Sequence, residues 1–221
     1  MIIFGNAEMA SMANFYFSND SHYEVEGFTI DNEYIIEDKF EGKPLLPFDN
    51  IYKIYDPNLY DLHIALSYRG MNKLREKKFK EAKKYGYNLA SYICTKSVWW
   101  NDLKHGENCF ILENQTIQPG VNLGDNVILW SGNHIGHQSI IGDHTYVSSH
   151  VVVSGHCKIG QRCFFGVNST VKDFINIGND VLISMDASVN KNIDNGCVVL
   201  SNNSETLKAE DRKALFIKNK I

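Results

Sequence analysis

The sequence predicts a small α/β layer with a parallel sheet over residues 1–95, a parallel β-helix over residues 96–203, and a short helical tail over residues 204–221. Two observations carry this. The C-terminal half repeats every six residues, and the N-terminal half alternates short apolar runs with helix-like stretches. Starting at Ile111 and stepping by six, all fourteen positions to Val189 hold large apolar residues. If such residues fill about 0.3 of positions, chance gives this series with a probability on the order of 10⁻⁷, so the period is structural. A period of six fits neither the 3.6 of a helix nor the alternation of a plain strand. It fits one short strand plus one corner per hexad, with the large aliphatic pointing inward.

The next position in the register collects glycines at 124, 136, 142, 160, 166 and 178, expected to relieve strain at the corners. Two residues before each aliphatic the side chain is mostly small or β-branched, as at Val121, Ser139, Thr145, Cys157 and Cys163. The last two are thereby read as interior filler rather than nucleophiles. The series makes a little under five coils of three hexads.

In the N-terminal half, residues 1–4 form a strand and Gly5-Asn6 a turn. Residues 7–17 form a helix with Met9, Met12, Phe15 and Phe17 on its apolar side. Strands are expected at 23–30, 62–66 and 88–93, and a charged helix at 69–85, ending at Gly86. That helix carries eight Lys or Arg against two Glu and is read as a solvated face. The tail, with Ser204 as N-cap to a helix over 205–217, would cover the open end of the solenoid.

Composition bounds the partners. With 43% apolar and 22% charged residues and a net charge of −4, the chain lacks the basic surface that a nucleic-acid polymer rewards. Five dispersed cysteines favour a reducing compartment over a disulfide framework. The N-terminal apolar stretch has no basic lead-in, Glu8 interrupts it, and no apolar run reaches the ~18 residues of a membrane span. The expected location is the cytoplasm, without membrane insertion. The turn after the first strand lacks the further glycines of a dinucleotide fingerprint, so a full NAD site is not expected.

The repeat resembles the hexapeptide-repeat acyltransferases, and that resemblance implies a left-handed β-helix. FGNAEMA, GFTIDN, ALSYRGMNKLR and SYICTKSVW, in that order before the hexads, extend it over essentially the whole chain. In this combination the sequence resembles the sialic-acid and bacillosamine-pathway acetyltransferase group, whose members join a Rossmann-like domain to the solenoid and acetylate nucleotide-linked sugars. The resemblance implies acetyl-CoA as donor, a nucleotide-linked amino sugar as acceptor and a homotrimer with the donor held between neighbouring β-helices. It implies acceptor contacts at Ala7, Glu8 and Met9 of the first turn, at Asp31 and Asn32, and at Ser67.

His137, two residues past the interior Ile135, matches the group's catalytic histidine in the run Ile135-Gly136-His137-Gln138-Ser139-Ile140-Ile141-Gly142. The attacking sugar nitrogen must lose a proton, and imidazole is the side chain that accepts one near neutral pH. Gln138 stands where the group often has a glutamate beside the histidine. Counting eighteen residues on reaches Gly155, whose amide the resemblance aims at the thioester carbonyl. Tyr146, Val167 and Met185 match positions along the coenzyme A arm. His144, His150 and His156 fall on three different sides of one coil and cannot share a metal within one chain, so no metal is expected. Two alternatives stay open: transfer to a sugar hydroxyl, and a β-helix scaffold without catalysis.

Overall fold

The computed structural model describes residues 1–201 and Arg212. The predicted helical tail lies outside these residues, Arg212 apart. The N-terminal sheet contains β1 (Ile2–Phe4), β2 (Gly27–Ile30), β3 (Lys39–Phe40), β4 (Lys43–Pro47) and β5 (Leu62–Ile64), ordered β3-β4-β2-β1-β5. All neighbours are parallel except the β3–β4 hairpin. Helices α1 (Glu8–Asp20) and α2 (Lys73–Lys84) flank this sheet.

The N-terminal half departs from the expected elements in several places. β2 is shorter than the expected strand over 23–30 and is buried at every position, because covered parallel strands need no polar face. Helix α1 buries Ala10, Ala13 and Phe17, whereas Phe15 is exposed. The β3–β4 hairpin, turning through Glu41 and Gly42 at positive φ, has no counterpart in the sequence reading. α2 begins only at Lys73, because Gly70, Met71 and Asn72 all take left-handed φ values. Nor is α2 merely a solvated face, since Arg75 and Lys78 are buried.

The second half is a left-handed parallel β-helix of two-residue strands. Its three faces carry sheets of five, seven and five strands, each strand pairing with the one a coil away. Every aliphatic of the hexad series is the second residue of its strand, and all are buried. The solenoid is longer than the series suggests. It begins with Tyr92–Ile93, on a first coil where His105 breaks the apolar series, and ends with Val198–Val199 on a coil two residues short. Residue 89 still bridges the N-terminal sheet, at Leu62.

The corner glycines do something other than expected. None of the six takes a left-handed φ; that conformation falls two residues later, at Asn126, Gln138, His144, Arg162, Asn168 and Asp180, and at the equivalent corners His150 and His156. Asn, Asp and His tolerate it better than other side chains. The glycines instead allow close stacking of coils: a Cβ on Gly136 would lie 2.4 Å from the Ser154 carbonyl carbon. The small interior residues also bond across coils. Ser139 Oγ donates to Ser154 O at 2.9 Å and accepts from Cys157 N at 3.0 Å, and Cys163 Sγ points at Gly178 O at 3.1 Å. Burial pushes the Cys163 thiol up to about 11, so it stays neutral.

One edge of the prism docks the N-terminal layer. Asn108, Asn126, His144, Arg162 and Asp180 stack there at eighteen-residue steps. Asn108 accepts from Ile64 N at 2.7 Å and donates to Asn126 at 2.8 Å, and Asn126 donates to His144 Nδ1 at 2.9 Å. Fully buried Arg75 donates to Asn126, to Asn72 and, at 2.9 Å, to the His144 carbonyl. Arg162 holds Asp180 at 2.8 and 2.9 Å and reaches Glu76 at 3.5 Å. A buried arginine without a bonded carboxylate tolerates no loss of these acceptors, so the two halves are fastened together.

Candidate functional site

His137 lies on a second edge of the prism, exposed, just before the left-handed Gln138. Its imidazole rests on the next coil: a Cβ on Gly155 would meet Cε1, Nε2 and Nδ1 at 2.5, 2.8 and 2.9 Å. Only glycine leaves room for the ring there. The residue that orients the ring is Gln118. Its Oε1 lies 2.8 Å from the His137 backbone nitrogen and 3.0 Å from Nδ1.

A backbone nitrogen can only donate, so the shared atom is an acceptor oxygen and Nδ1 carries the proton. In the neutral ring this leaves the lone pair on Nε2, in the form a general base requires. The Gly155 N–H has no partner among the described residues and lies beside this ring. A free donor and a free acceptor therefore sit together.

Gln138 does not share this arrangement. Its side chain packs over Gly120 one coil below, and its bonded partner is Pro119 O through the backbone. Sequence reasoning looked one residue along the chain; the orienting amide lies nineteen residues back. Counting one coil back from Gly136 reaches Gln118, so the register held the signal.

The remaining predicted residues gather on another edge and beside the N-terminal layer. Ala7, Glu8, Met9 and Ser67 line a cavity of about 550 Å³ together with Arg69, Trp130 and Tyr146. It opens outside the carboxyl ends of β1 and β5, where the strand order reverses, the place where open parallel sheets hold ligands. Arg69 is exposed there and makes no ion pair among the described residues. Tyr68, Trp130 and Tyr146 also wall an adjoining groove of about 570 Å³ that runs to Val167 and Met185, both exposed.

Tyr146 is 4% exposed and stacks on Phe164 at 5.6 Å. Burial pushes its phenol up to about 12, so it is a neutral donor or acceptor. Asp31 and Asn32 lie elsewhere, in a polar cleft of about 590 Å³ with Lys77, Lys78 and Lys84. Lys78 already binds the Asp31 carboxylate at 2.5 Å.

Among the described residues no group of three or more His, Cys, Asp or Glu is arranged for a metal ion. His144, His150 and His156 occupy the three separate edges. No helix among these residues is long and apolar enough to cross a membrane, and Cys94, Cys109, Cys157, Cys163 and Cys197 are free thiols.

Comparison with known proteins agrees with this architecture. Residues 120–155 match the family model of the bacterial transferase hexapeptide (six repeats), and residues 157–191 match the hexapeptide repeat of succinyl-transferase. No curated protein sequence matches. PerB from Caulobacter crescentus, solved with CoA and GDP-perosamine, is 20% identical and aligns over 89% of this chain and 91% of its own, with a TM-score of 0.79. The acetyltransferase domain of PglB from Neisseria gonorrhoeae is 17% identical over 93% of this chain and 98% of its own, also at 0.79. WeeI from Acinetobacter baumannii is 19% identical over 93% and 98%, at 0.68. Residues 120–155 and 157–191 are thus transferase-type hexapeptide repeats, and about nine-tenths of the chain, N-terminal sheet included, has the fold of PerB and of the PglB acetyltransferase domain.

Proposed function

We propose that the protein transfers the acetyl group of acetyl-CoA to the amino group of a nucleotide-linked amino sugar, in the building of a surface glycan, with His137 as general base. The observation that carries this is the contact of Gln118 Oε1 with His137 Nδ1, which leaves Nε2 of the neutral ring free beside the unbonded Gly155 N–H. As the sugar nitrogen attacks the thioester carbon, Nε2 takes its proton. The Gly155 N–H donates to the oxygen on which negative charge gathers. When the C–S bond breaks, the imidazolium returns the proton to the leaving thiolate, and His137 regains its starting state. No covalent intermediate is needed, and the buried Cys157 and Cys163 offer no nucleophile.

The two cavities suit the two substrates. The one lined by Ala7, Glu8, Met9 and Ser67 would take the nucleotide-sugar, with Arg69 as the cation for its diphosphate. The groove past Tyr146 to Val167 and Met185 would take the pantetheine arm. PerB, solved with CoA and GDP-perosamine, and histidine mutants of that perosamine N-acetyltransferase, solved with the same ligands, support this pairing.

Within one chain His137 stands on a different edge from both cavities, so the site is complete only when a neighbouring copy brings its His137 edge to the groove. A homotrimer supplies that contact. A cytoplasmic location belongs to the same proposal, because acetyl-CoA and nucleotide-sugars are made there.

The test is thiol release from acetyl-CoA in the presence of a panel of nucleotide-linked amino sugars, for wild type and His137→Ala. Release by wild type alone supports the reading. Release by neither would favour the scaffold, equal release by both would remove His137 from the mechanism, and sugars acylated only on oxygen would change the acceptor atom. A monomer by light scattering would contradict the shared site.

A further inference from the structure

A second histidine touches the candidate base. The His156 ring stands nearly perpendicular to that of His137, at 86° with centroids 4.9 Å apart. On the next coil it is stacked on Phe174, 4.7 Å away and 4° from parallel. Gln138, His156 and Phe174 occupy the left-handed corner position of three successive coils, and Phe174 has φ of 60°. A bulky aromatic is poorly suited to that conformation, which other corners fill mainly with Asn, Asp, Gly or His. Phe174 is also 65% exposed, so burial does not offset the backbone cost. The strained, exposed ring has a single stacking partner among the aromatic pairs, and that partner leans on His137.

We propose that His156, backed by Phe174, is a positioning residue for His137. The inference rests on the acetyl-transfer reading of this site. Gln118 holds Nδ1, Gly155 gives the ring its floor, and His156 closes a side. Without that wall the exposed imidazole can swing about its Cα–Cβ bond, breaking the Nδ1–H bond to Gln118 and turning Nε2 away from the acceptor. The role needs a flat ring at position 156 and does not need its nitrogens.

Three variants test this: His156→Ala, His156→Phe and Phe174→Asn. His156→Ala is expected to lower kcat by roughly tenfold, with KM for both substrates held within about twofold, because orientation and not binding is lost. His156→Phe is expected to recover most of that loss. Phe174→Asn should lower kcat less than His156→Ala, and raise Tm by a few degrees as the corner receives a residue suited to its φ.

An unaltered kcat in His156→Ala would overturn the proposal, as would equal losses in the Ala and Phe variants, or a loss confined to KM. A second readout does not depend on turnover. In histidine-labelled protein the Nδ1–H proton of His137 should be observable by NMR in wild type and His156→Phe, and lost to solvent exchange in His156→Ala. Its persistence in His156→Ala would also overturn the proposal. Absence of acetyl transfer by wild type on any acceptor would instead count against the proposed function, leaving the NMR comparison to judge the role of His156.

Discussion

Replacing Gly155 by alanine separates the catalytic reading from a purely structural one. Gly155 does not have a left-handed φ, so its backbone accepts alanine, and the three atoms nearest the new Cβ all belong to the His137 ring, Cε1 at 2.5 Å. Carbon atoms rest about 3.5 Å apart or more, so the imidazole must retreat by about 1 Å. Nδ1 is already 3.0 Å from Gln118 Oε1, and a further 1 Å breaks that bond, worth about 1 kcal/mol. A misplacement of this size costs roughly a hundredfold in rate, or about 2.7 kcal/mol of barrier.

The assay is continuous thiol release from acetyl-CoA with saturating acceptor, beside a thermal melt. The expected result is kcat down by about a hundredfold with Tm little changed, since an exposed side chain gives way. Gly136→Ala provides the contrast. Its Cβ would lie 2.4 Å from the Ser154 carbonyl carbon and 2.5 Å from Gly155 N, both backbone, so it should lower Tm. A Gly155→Ala protein with kcat within about threefold of wild type would refute the placement of the base on this glycine.

Other perturbations reach different parts of the molecule. Arg75→Met leaves Asn126, Asn72 and the His144 carbonyl without their buried donor and should cost about 3 kcal/mol or more in urea unfolding; a loss under about 1 kcal/mol would show that the seam is not held this way. Full burial lowers the pKa of His63 to about 4, so the unfolded chain binds a proton there that the folded one does not. Stability should therefore fall by up to about 3 kcal/mol as pH drops from about 6.5 to 4. His63→Gln, measured by denaturant melts across that range, should flatten the slope, and an unchanged slope would assign it to other groups. Arg69→Ala should raise KM for the nucleotide-sugar about tenfold or more with kcat nearly unchanged; a loss in kcat alone would place Arg69 at the chemistry rather than the diphosphate.

What the sequence disclosed depends on whether a constraint repeats. The interior of the prism imposes the same size and polarity every six residues, so Ile111 through Val189 announce the solenoid. The first coil escaped because Trp99 and His105 take aliphatic positions before the prism is fully formed. The corner glycines stand out in the sequence but not their cause, since close approach of coils and left-handed backbone both select glycine, and only φ distinguishes them. Ala7, Glu8, Met9 and Ser67 do share a cavity, because strand ends are readable and strand order puts them together. Asp31 ends an adjacent strand, yet its carboxylate turns to Lys78, a tertiary pairing that no local pattern announces. Gln118 is hard to read from sequence because a β-helix makes neighbours of residues about eighteen apart, whereas proximity along the chain points to Gln138.

The docking column from Asn108 to Asp180 limits how such a protein can change length. A hexad inserted into the solenoid turns everything beyond it by one face, taking the column away from α2. A whole coil of eighteen residues restores the faces but moves every later residue one step of about 4.8 Å along the axis. Inserted between Asn108 and Arg162, it would part Ile64, Arg75 and Glu76 from partners that must all fit at once. Beyond Asp180 no such rung remains among the described residues, and a coil could be gained or lost there without disturbing the seam. Relatives of this chain should differ in size at the distal end of the solenoid while keeping the spacing of its first coils.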